Sequence, residues 1–196
     1  MNVLSAALRQ CAADLDRHKR AWALVGGFAV SARAEPRFTR DVDIAVAVES
    51  DADSEHLVRS LLVDGYQLFA TVEQESTGRL ATVRLERPIA ETEDVVVDLL
   101  FASSGIEPEI ARAAEVLEIV PGLTLPVATT GHLIALKLLA RDDQTRPQDL
   151  ADLRALCAPA TSEDLAMARD AVRLITERGF NRGRDLLAAL EDITAS

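Results

Sequence analysis

Between residues 22 and 48 the chain reads WALVGGFAVSARAEPRFTRDVDIAVAV. The apolar residues 22–25 indicate a short buried strand, and Gly26-Gly27 opens a helix-like segment. Asp41 and Asp43 follow at the head of an apolar run, where a strand places both carboxylates on one face with Cα atoms about 6–7 Å apart. Such a pair repels unless a cation lies between the two groups, and hard oxygen ligands suit Mg²⁺ bound together with substrate phosphates. Because a glycine-opened helix presents bare N–H groups and a positive dipole end to phosphate, the pattern predicts nucleotide chemistry.

Each of these motifs is ordinary when it stands alone. Asp-x-Asp is common at strand and turn edges, and Gly-Gly usually marks a turn or a cap. The joint pattern, with Arg37-x-Thr39 just before the first aspartate, favours a nucleotidyltransferase active site. Thr39 is predicted either to hydrogen-bond a terminal phosphate or to fix the loop before the strand.

The composition indicates a globular protein with no strong affinity for nucleic acid over its whole surface. Of 196 residues, 48% are hydrophobic and 27% charged, and the net charge is −11. A local basic patch remains compatible with that charge, but DNA is not an expected partner. Two cysteines, Cys11 and Cys157, indicate no disulfide framework, and no apolar run approaches the length of a membrane span. We therefore predict a cytoplasmic protein without a membrane partner.

The periodicity predicts two halves. A mixed α/β core with an N-terminal helix occupies residues 1–128, and a helical domain that completes the cleft occupies residues 129–196. The predicted helices are 3–19, 26–34, 53–63 with Asp53 as its cap, 107–114, 130–141, 147–156, 162–178 with Thr161 or Ser162 as its cap, and 182–193. The predicted strands are 22–25, 42–48, 66–73, 80–86, 94–101 and 115–120, with a turn around residues 76–78.

Asp98 is the best candidate for a third metal ligand. It is the only polar residue in the run VVVDLL of residues 95–100, and a charge within an apolar strand is costly unless it is paired or metal-bound. With Asp41 and Asp43 on a neighbouring strand, three carboxylates can bracket two Mg²⁺ ions. The alternative places Asp98 at an exposed position or in a pair with an arginine.

Lys137 lies within the apolar helical segment LIALKLLA, and Arg141 follows four residues later on the same face. Lys137 either snorkels along apolar surface or points its charge at a triphosphate. Asp149 and Asp152 share a face of the next helix. They are solvated surface charges, or they hold Lys137 or Arg141 in place, or they accept the proton of an attacking hydroxyl.

Taken together, these residues resemble the AbiEii/AbiGii-type toxin nucleotidyltransferases of the DNA polymerase β-like superfamily. The resemblance covers residues 20–156, and the short chain is similar to the smaller mycobacterial MenT toxins. It implies an α+β fold with a mixed-sheet N-terminal half and a helical C-terminal half. It also implies a cognate antitoxin and Mg²⁺-dependent transfer of NMP from an NTP, with a pyrimidine nucleotide as the expected donor. The implied acceptor is the 3′ end of tRNA, whose extension blocks aminoacylation and translation.

The resemblance assigns a role to each motif residue. Asp41, Asp43 and Asp98 are implied metal ligands, while Thr39 and Lys137 are implied nucleotide contacts. Gly26 and Gly27 are predicted nucleotide contacts because they open a helix, and Arg141 because it shares the helical face of Lys137. Asp152, with Asp149, matches a later acidic motif whose implied role is general base or structural.

One departure concerns the glycine pair, because the superfamily often has Gly-Ser where this chain has Gly26-Gly27. Thr39 can supply the missing hydroxyl, and we hypothesise that phosphorylation of Thr39 acts as a switch. The three histidines, His18, His56 and His132, are predicted to be structural or solvated.

Two other functions remain open at this stage. One is a nucleotidyltransferase with a protein or small-molecule acceptor such as an antibiotic, which the acidic balance favours. Arginines near the motifs (Arg33, Arg37, Arg40, Arg141 and Arg146) argue instead for RNA if they line one side of the cleft. The other is a non-catalytic binding module, which the three surviving carboxylates oppose.

Overall fold

The computed structural model describes residues 3–39, 41–74, 78–90, 93–142 and 147–195. Within them, seven strands form one mixed sheet with the order β3-β4-β5-β2-β1-β7-β6. The strands are β1 Trp22–Val25, β2 Val42–Val46, β3 Gln67–Glu73, β4 Leu80–Ala90, β5 Glu93–Leu100, β6 Glu115–Val120 and β7 Leu123–Val127. The helices are α1 Val3–Arg17, α2 Gly26–Arg33, α3 Asp51–Val63, α4 Glu107–Arg112, α5 Thr130–Ala140, α6 Pro147–Cys157, α7 Ser162–Glu177 and α8 Leu186–Thr194. The predicted α+β class with a mixed sheet and a helical C-terminal half is confirmed.

The centre of the sheet explains why its strands are so apolar in sequence. β2 runs parallel to β5 and antiparallel to β1, and helices α2 and α4 pack against β1 and β2. Strands covered in this way read as nearly continuous apolar runs. A carboxylate within such a strand is expected to face a cleft in the protein, and both Asp43 and Asp98 line one.

Three helix caps follow from local sequence. The Thr129 side chain accepts from the His132 amide at the start of α5. Thr161, one of the two predicted caps, precedes α7: its side chain accepts from the Asp164 amide, and its own amide donates to the Asp164 carboxylate. The prediction that Asp53 caps α3 is wrong. Ser50 is the cap, and Asp53 lies in the first turn, where it pairs with Arg20.

Strand β7 was not predicted, and α8 was predicted to begin four residues too early. Pro126 has no amide hydrogen to donate, which argues against a strand, yet β7 pairs antiparallel with β6, with Pro126 opposite Val116, and meets β1 at Leu24 opposite Val127. Arg182 and Gly183 have φ values of 54° and 69°, which end any helical path before Asp185 caps α8. The other predicted elements are present with boundaries shifted by at most four residues. Of the predicted turn at 76–78, only Gly78 lies within the described residues.

The two halves share one hydrophobic core. A single buried cluster continues through Val127, Ala128 and Leu133, across the predicted boundary at residue 128. α5 also packs against α2 as well as against α6, α7 and α8. The division into domains 1–128 and 129–196 stays a prediction. In the described part of the chain, no helix has the length and apolar character that crossing a bilayer requires.

Candidate active site

The turn from β1 into α2 brings the glycine pair against Asp43. Gly26 has φ +62°, and a Cβ built on it would lie 1.9 Å from Oδ2 of Asp43. A Cβ on Gly27 would lie 2.6 Å from Oγ1 of Thr39. The backbone N–H of Gly27 donates to the Asp43 carboxylate. The glycines are therefore required because an acid and a hydroxyl occupy the space that side chains would fill, and their predicted contact with phosphate stays a prediction.

Asp43 and Asp98 lie side by side on the two central parallel strands. They are direct partners in the register of β2 and β5, so their side chains share a face. Burial, together with the negative charge of Asp98, raises the pKa of Asp43 to about 7, although the positive charge of Lys137 acts in the opposite direction. Asp41 is half-buried at the start of β2 and lines the same cleft.

The cleft that contains these acids has a volume of about 390 Å³ and is bounded by both halves of the chain. Its polar lining consists of Arg37, Thr39, Asp41, Asp43, Thr82, Arg84, Asp98, Ser103, Ser104, Lys137 and Arg182. The glycine pair forms part of one wall, and the apolar side of α5 forms another. The structure thus gathers most of the predicted site residues around one opening.

Arg84 pairs with Asp98 through both carboxylate oxygens. Its Nε donates to Oδ1 at 2.8 Å and one terminal nitrogen donates to Oδ2 at 2.6 Å, across the antiparallel pair β4 and β5. The hydrogen bonds to Asp98 raise the pKa of Arg84 above its usual value. The arginine-paired alternative for Asp98 is therefore realised, at a position that also lines the cleft.

A divalent cation fits the donor chemistry of the acid pair. Two adjacent carboxylates, one with a strongly raised pKa, favour a cation close by, and a guanidinium already stands against Asp98. The described residues contain no group of three His, Cys, Asp or Glu side chains close enough to hold a metal. The structure therefore brings Asp43 and Asp98 together, while the three-carboxylate, two-ion arrangement stays a prediction.

Lys137 is buried and held by two aspartates of α6. Its Nζ lies 2.7 Å from Oδ1 of Asp149 and 2.7 Å from Oδ2 of Asp152. Asp152 also accepts from a terminal nitrogen of Arg37 at 3.0 Å and from Gln148 at 3.0 Å. Burial opposes ionisation of Asp152, but the hydrogen bonds from Lys137 and Gln148 outweigh it and lower the pKa. Of the three possibilities for these acids, the structure shows the one in which they hold cationic side chains in place.

The described members of the predicted arginine cluster occupy different places in the fold. Arg33 donates to the Ala128 carbonyl at 3.0 Å and pairs with Glu115, so it fastens α2 to β6 and β7. α5 ends before Arg141, which leaves the helical path with ψ 127° and is not among the described residues that line the cleft. Arg40 and Arg146 lie outside the described residues. Among the members of the cluster that the structure describes, Arg37 alone lines the cleft.

The histidines agree with the prediction of structural or solvated roles. His18 bonds to Asp64 at 2.7 Å, His56 is exposed on α3, and His132 bonds through Nδ1 to Thr129 at 2.9 Å. Burial lowers the pKa of His132.

Sequence reasoning missed two cationic cleft residues, Arg84 and Arg182. Arg84 had a partial signal, because it is a charged residue in an alternating strand, but its partner depends on the register of β4 against β5. Arg182 had no local signal, since its place in the cleft depends on the positive-φ loop before α8.

Comparison with known proteins identifies the family of the chain and proteins of similar fold. The profile of the family described as nucleotidyl transferase AbiEii toxin, type IV toxin–antitoxin system, matches residues 8–194. A search of curated proteins gave no match.

Several solved structures are similar to this chain. An antigenic nucleotidyltransferase-like protein from Paracoccidioides brasiliensis is 19% identical with a TM-score of 0.53, over 96% of this chain and 91% of that one. The antibiotic-resistance factor ANT(2″)-Ia is 17% identical with a TM-score of 0.51, over 100% and 95% of the two chains. The MenT4 nucleotidyltransferase toxin of Mycobacterium tuberculosis is 19% identical with a TM-score of 0.49, over 85% and 63%. At these identities the first two matches show the nucleotidyltransferase fold.

Proposed function

The chain belongs to the AbiEii family of nucleotidyl transferase toxins, and from this premise we propose that it transfers NMP from a pyrimidine NTP to the 3′ end of tRNA, with release of pyrophosphate. The extended tRNA is no longer aminoacylated, so translation stops. The proposal includes Mg²⁺ dependence, a cytoplasmic site of action and a cognate antitoxin. The observation that carries it is the cleft itself, where Asp43 and Asp98 lie side by side near the charge of Lys137.

The acidic residues provide the seat for a divalent cation. Asp43 and Asp98, joined by Asp41, would hold Mg²⁺, which supplies neutralisation of triphosphate charge and stabilises the attacking and leaving oxygens. The turn at Gly26 keeps Asp43 at the mouth of α2, and the Gly27 amide fixes the orientation of its carboxylate.

Lys137 is oriented for a phosphate contact. An ammonium group has three donors, and two of them are directed at Asp149 and Asp152. Lys137 lines the cleft, so we assign its remaining donor to a nucleotide oxygen. A lysine held in this way acts as a localised positive charge at the triphosphate.

Asp152 is better suited to positioning than to general base catalysis. Both of its oxygens accept hydrogen bonds from cationic or amide donors, and its pKa is lowered. A carboxylate in that condition is a weak acceptor for the proton of an attacking hydroxyl. We therefore propose that Asp152 holds the side chains of Lys137 and Arg37 in place.

The experiment that tests the function uses the purified protein, Mg²⁺, total cellular RNA and each NTP radiolabelled at its α-phosphate. The expected result is label in the tRNA size range with a pyrimidine NTP and none in the other RNA. Asp41→Ala is the matched variant, and it should abolish labelling while retaining the thermal melt of the parent. Labelling that persists in Asp41→Ala, or label that never enters tRNA, contradicts the proposal.

A second candidate keeps the chemistry and changes the acceptor to a protein or a small molecule. The net charge of −11 favours it, because a tRNA-binding surface is ordinarily basic. Salt separates the two acceptors. A tRNA acceptor predicts a steep loss of activity with added salt through counterion release, and a small neutral or cationic acceptor predicts little loss.

Phosphorylation of Thr39 is proposed as a regulatory step at the same site. Its Oγ1 borders Gly27 and lies 3.4 Å from the Asp41 carbonyl, so a phosphoryl group there places charge beside the acids. Mass spectrometry of protein co-expressed with its antitoxin should find the modification. Thr39 that is always unmodified would count against this step.

A further inference from the structure

Arg84 places its positive charge on the acidic side of the cleft, where the proposed function places a metal ion. It reaches Asp98 from the neighbouring strand and engages both carboxylate oxygens, at 2.8 Å and 2.6 Å. Its guanidinium also interacts electrostatically with Asp41 and Asp43. One side chain thus pairs directly with Asp98 and lies within the electrostatic influence of the other two carboxylates that the proposed function assigns to Mg²⁺.

The two partners of this ion pair differ in exposure. The Asp98 side chain is 10% exposed, whereas the Arg84 side chain is 42% exposed. Asp98 therefore has little access to water and needs a partner inside the cleft. Arg84 faces the open cleft and can leave the pair when another cation takes its place beside Asp98, because a buried carboxylate left without a partner is costly.

We propose that Arg84 is a positioning residue that holds Asp98 in the nucleotide-free protein and exchanges that carboxylate for phosphate oxygens when the substrate enters. The inference rests on the proposed function and deepens it. No bond is made or broken in the exchange, which replaces one set of charge-assisted hydrogen bonds with another.

The chemistry of the guanidinium supports both states. Its planar donors match a carboxylate and a phosphate equally well, and both pairs are commonly bidentate. Arg84 lies on β4 beside Thr82 and close to Leu100, on the cleft wall formed by β4 and β5. The arginine consequently prevents repulsion between Asp43 and Asp98 before substrate arrives, and it carries positive charge to the triphosphate afterwards.

The test measures divalent-cation binding without nucleotide, using Mn²⁺ as a paramagnetic probe, in the wild-type protein and in Arg84→Gln. Removal of a resident competitor and of one positive charge should tighten Mn²⁺ binding by about tenfold. In the same variant the KM for NTP should rise, because the phosphate contact is lost. Arg84→Lys, which keeps the charge without the fork, should give intermediate values for both quantities.

Arg79→Gln is the matched control. Arg79 is another arginine near β4 that pairs with an aspartate, Asp51 at 3.1 Å, and its side chain has a similar exposure of 39%. It is absent from the described lining of the cleft. Mn²⁺ binding and KM in this variant should match the wild type, and thermal melts in EDTA should show that each variant is folded.

The outcomes separate the two proposals. Suppose that the wild-type protein binds Mn²⁺ and transfers nucleotide, but Arg84→Gln binds Mn²⁺ no more tightly than the wild type. That result overturns the role of Arg84 and leaves the proposed function standing. A wild-type protein that neither binds Mn²⁺ nor transfers nucleotide overturns the proposed function together with the inference. If Arg84→Gln is unfolded, Arg84→Lys decides the matter by the same comparison.

Discussion

Gly26→Ala is the substitution that most directly tests the geometry of the cleft. A methyl group at residue 26 would stand 1.9 Å from Oδ2 and 2.5 Å from Cγ of Asp43, far inside van der Waals contact. Alanine must also adopt the left-handed backbone that glycine adopts at φ +62°. The backbone contributes roughly 1–2 kcal/mol of destabilisation and the overpacking roughly 1–3 kcal/mol. We expect the free energy of unfolding to fall by about 2–5 kcal/mol.

Gly122→Ala isolates the backbone contribution. Gly122 has φ +75°, but a Cβ there would meet nothing within 4 Å. Its substitution should therefore lower the free energy of unfolding by only about 1–2 kcal/mol. Urea denaturation of both variants gives the comparison, with equal m-values required before the midpoints are converted to free energies.

Nucleotidyl transfer provides the second assay for Gly26→Ala. The Asp43 carboxylate has to turn away from the new methyl group, which breaks its bond from the Gly27 amide. Transfer should fall far more than the folded fraction does. In an Asp43→Ala background, the two nearest atoms of the clash are gone, so the penalty of Gly26→Ala should shrink towards that of Gly122→Ala. Equal stability losses for Gly26→Ala and Gly122→Ala in the parent would refute the close approach of Gly26 to Asp43.

Two further predictions follow from the charges around the cleft. Because the folded-state pKa of Asp43 is about 7, above the ordinary 3.8, stability in EDTA should fall as pH rises from about 4 to about 7. Asp43→Asn should remove this pH-dependent loss of stability and be more stable than the parent above pH 7. The difference should reach up to about 4 kcal/mol, at roughly 1.4 kcal/mol per pKa unit. Urea midpoints measured across this pH range provide the test. Lys137→Ala strands Asp149 and Asp152 without their buried cation, so it should lower the free energy of unfolding by about 3–5 kcal/mol and weaken use of NTP. Arg59→Ala, which breaks an exposed ion pair, is the control, and it should change the free energy of unfolding by no more than about 0.5 kcal/mol. Equal losses in Lys137→Ala and Arg59→Ala would mean that Lys137 is not buried as described.

The parts of the site that were predictable are local in sequence. The strand–glycine–helix turn and Asp-x-Asp lie within residues 22–48, and short-range geometry is sufficient to place them together. Asp98 was also recognisable, because a single carboxylate in an apolar strand needs a partner. Its alignment with Asp43 required only that two neighbouring strands pair in register.

The remaining contacts depend on pairings that local pattern does not encode. The Arg37–Asp152 bond joins residues 115 positions apart, and the charges of both residues are equally consistent with a solvated surface. Arg84 meets Asp98 because of the register of the β4–β5 hairpin, which residue alternation alone leaves open by steps of two. Arg33 looked like a basic residue beside the motifs, yet backbone carbonyls of the β7 end are its partners. In each case tertiary packing decides between two roles that the same residue type can fill.

The charges of the cleft explain how an acidic protein can accommodate the proposed phosphate-binding site. The described lining contains four cationic side chains, Arg37, Arg84, Lys137 and Arg182, and three carboxylates, Asp41, Asp43 and Asp98. Arg37 and Lys137 are balanced by the two aspartates of α6 behind them. Two cations then face three carboxylates, which gives a net charge of −1 once Asp43 is ionised, at the place where the proposed function puts a triphosphate. A bound divalent cation would make the net charge of the cleft positive. The same carboxylates would then couple the affinity for the cation to the affinity for the nucleotide, whatever the charge of the outer surface.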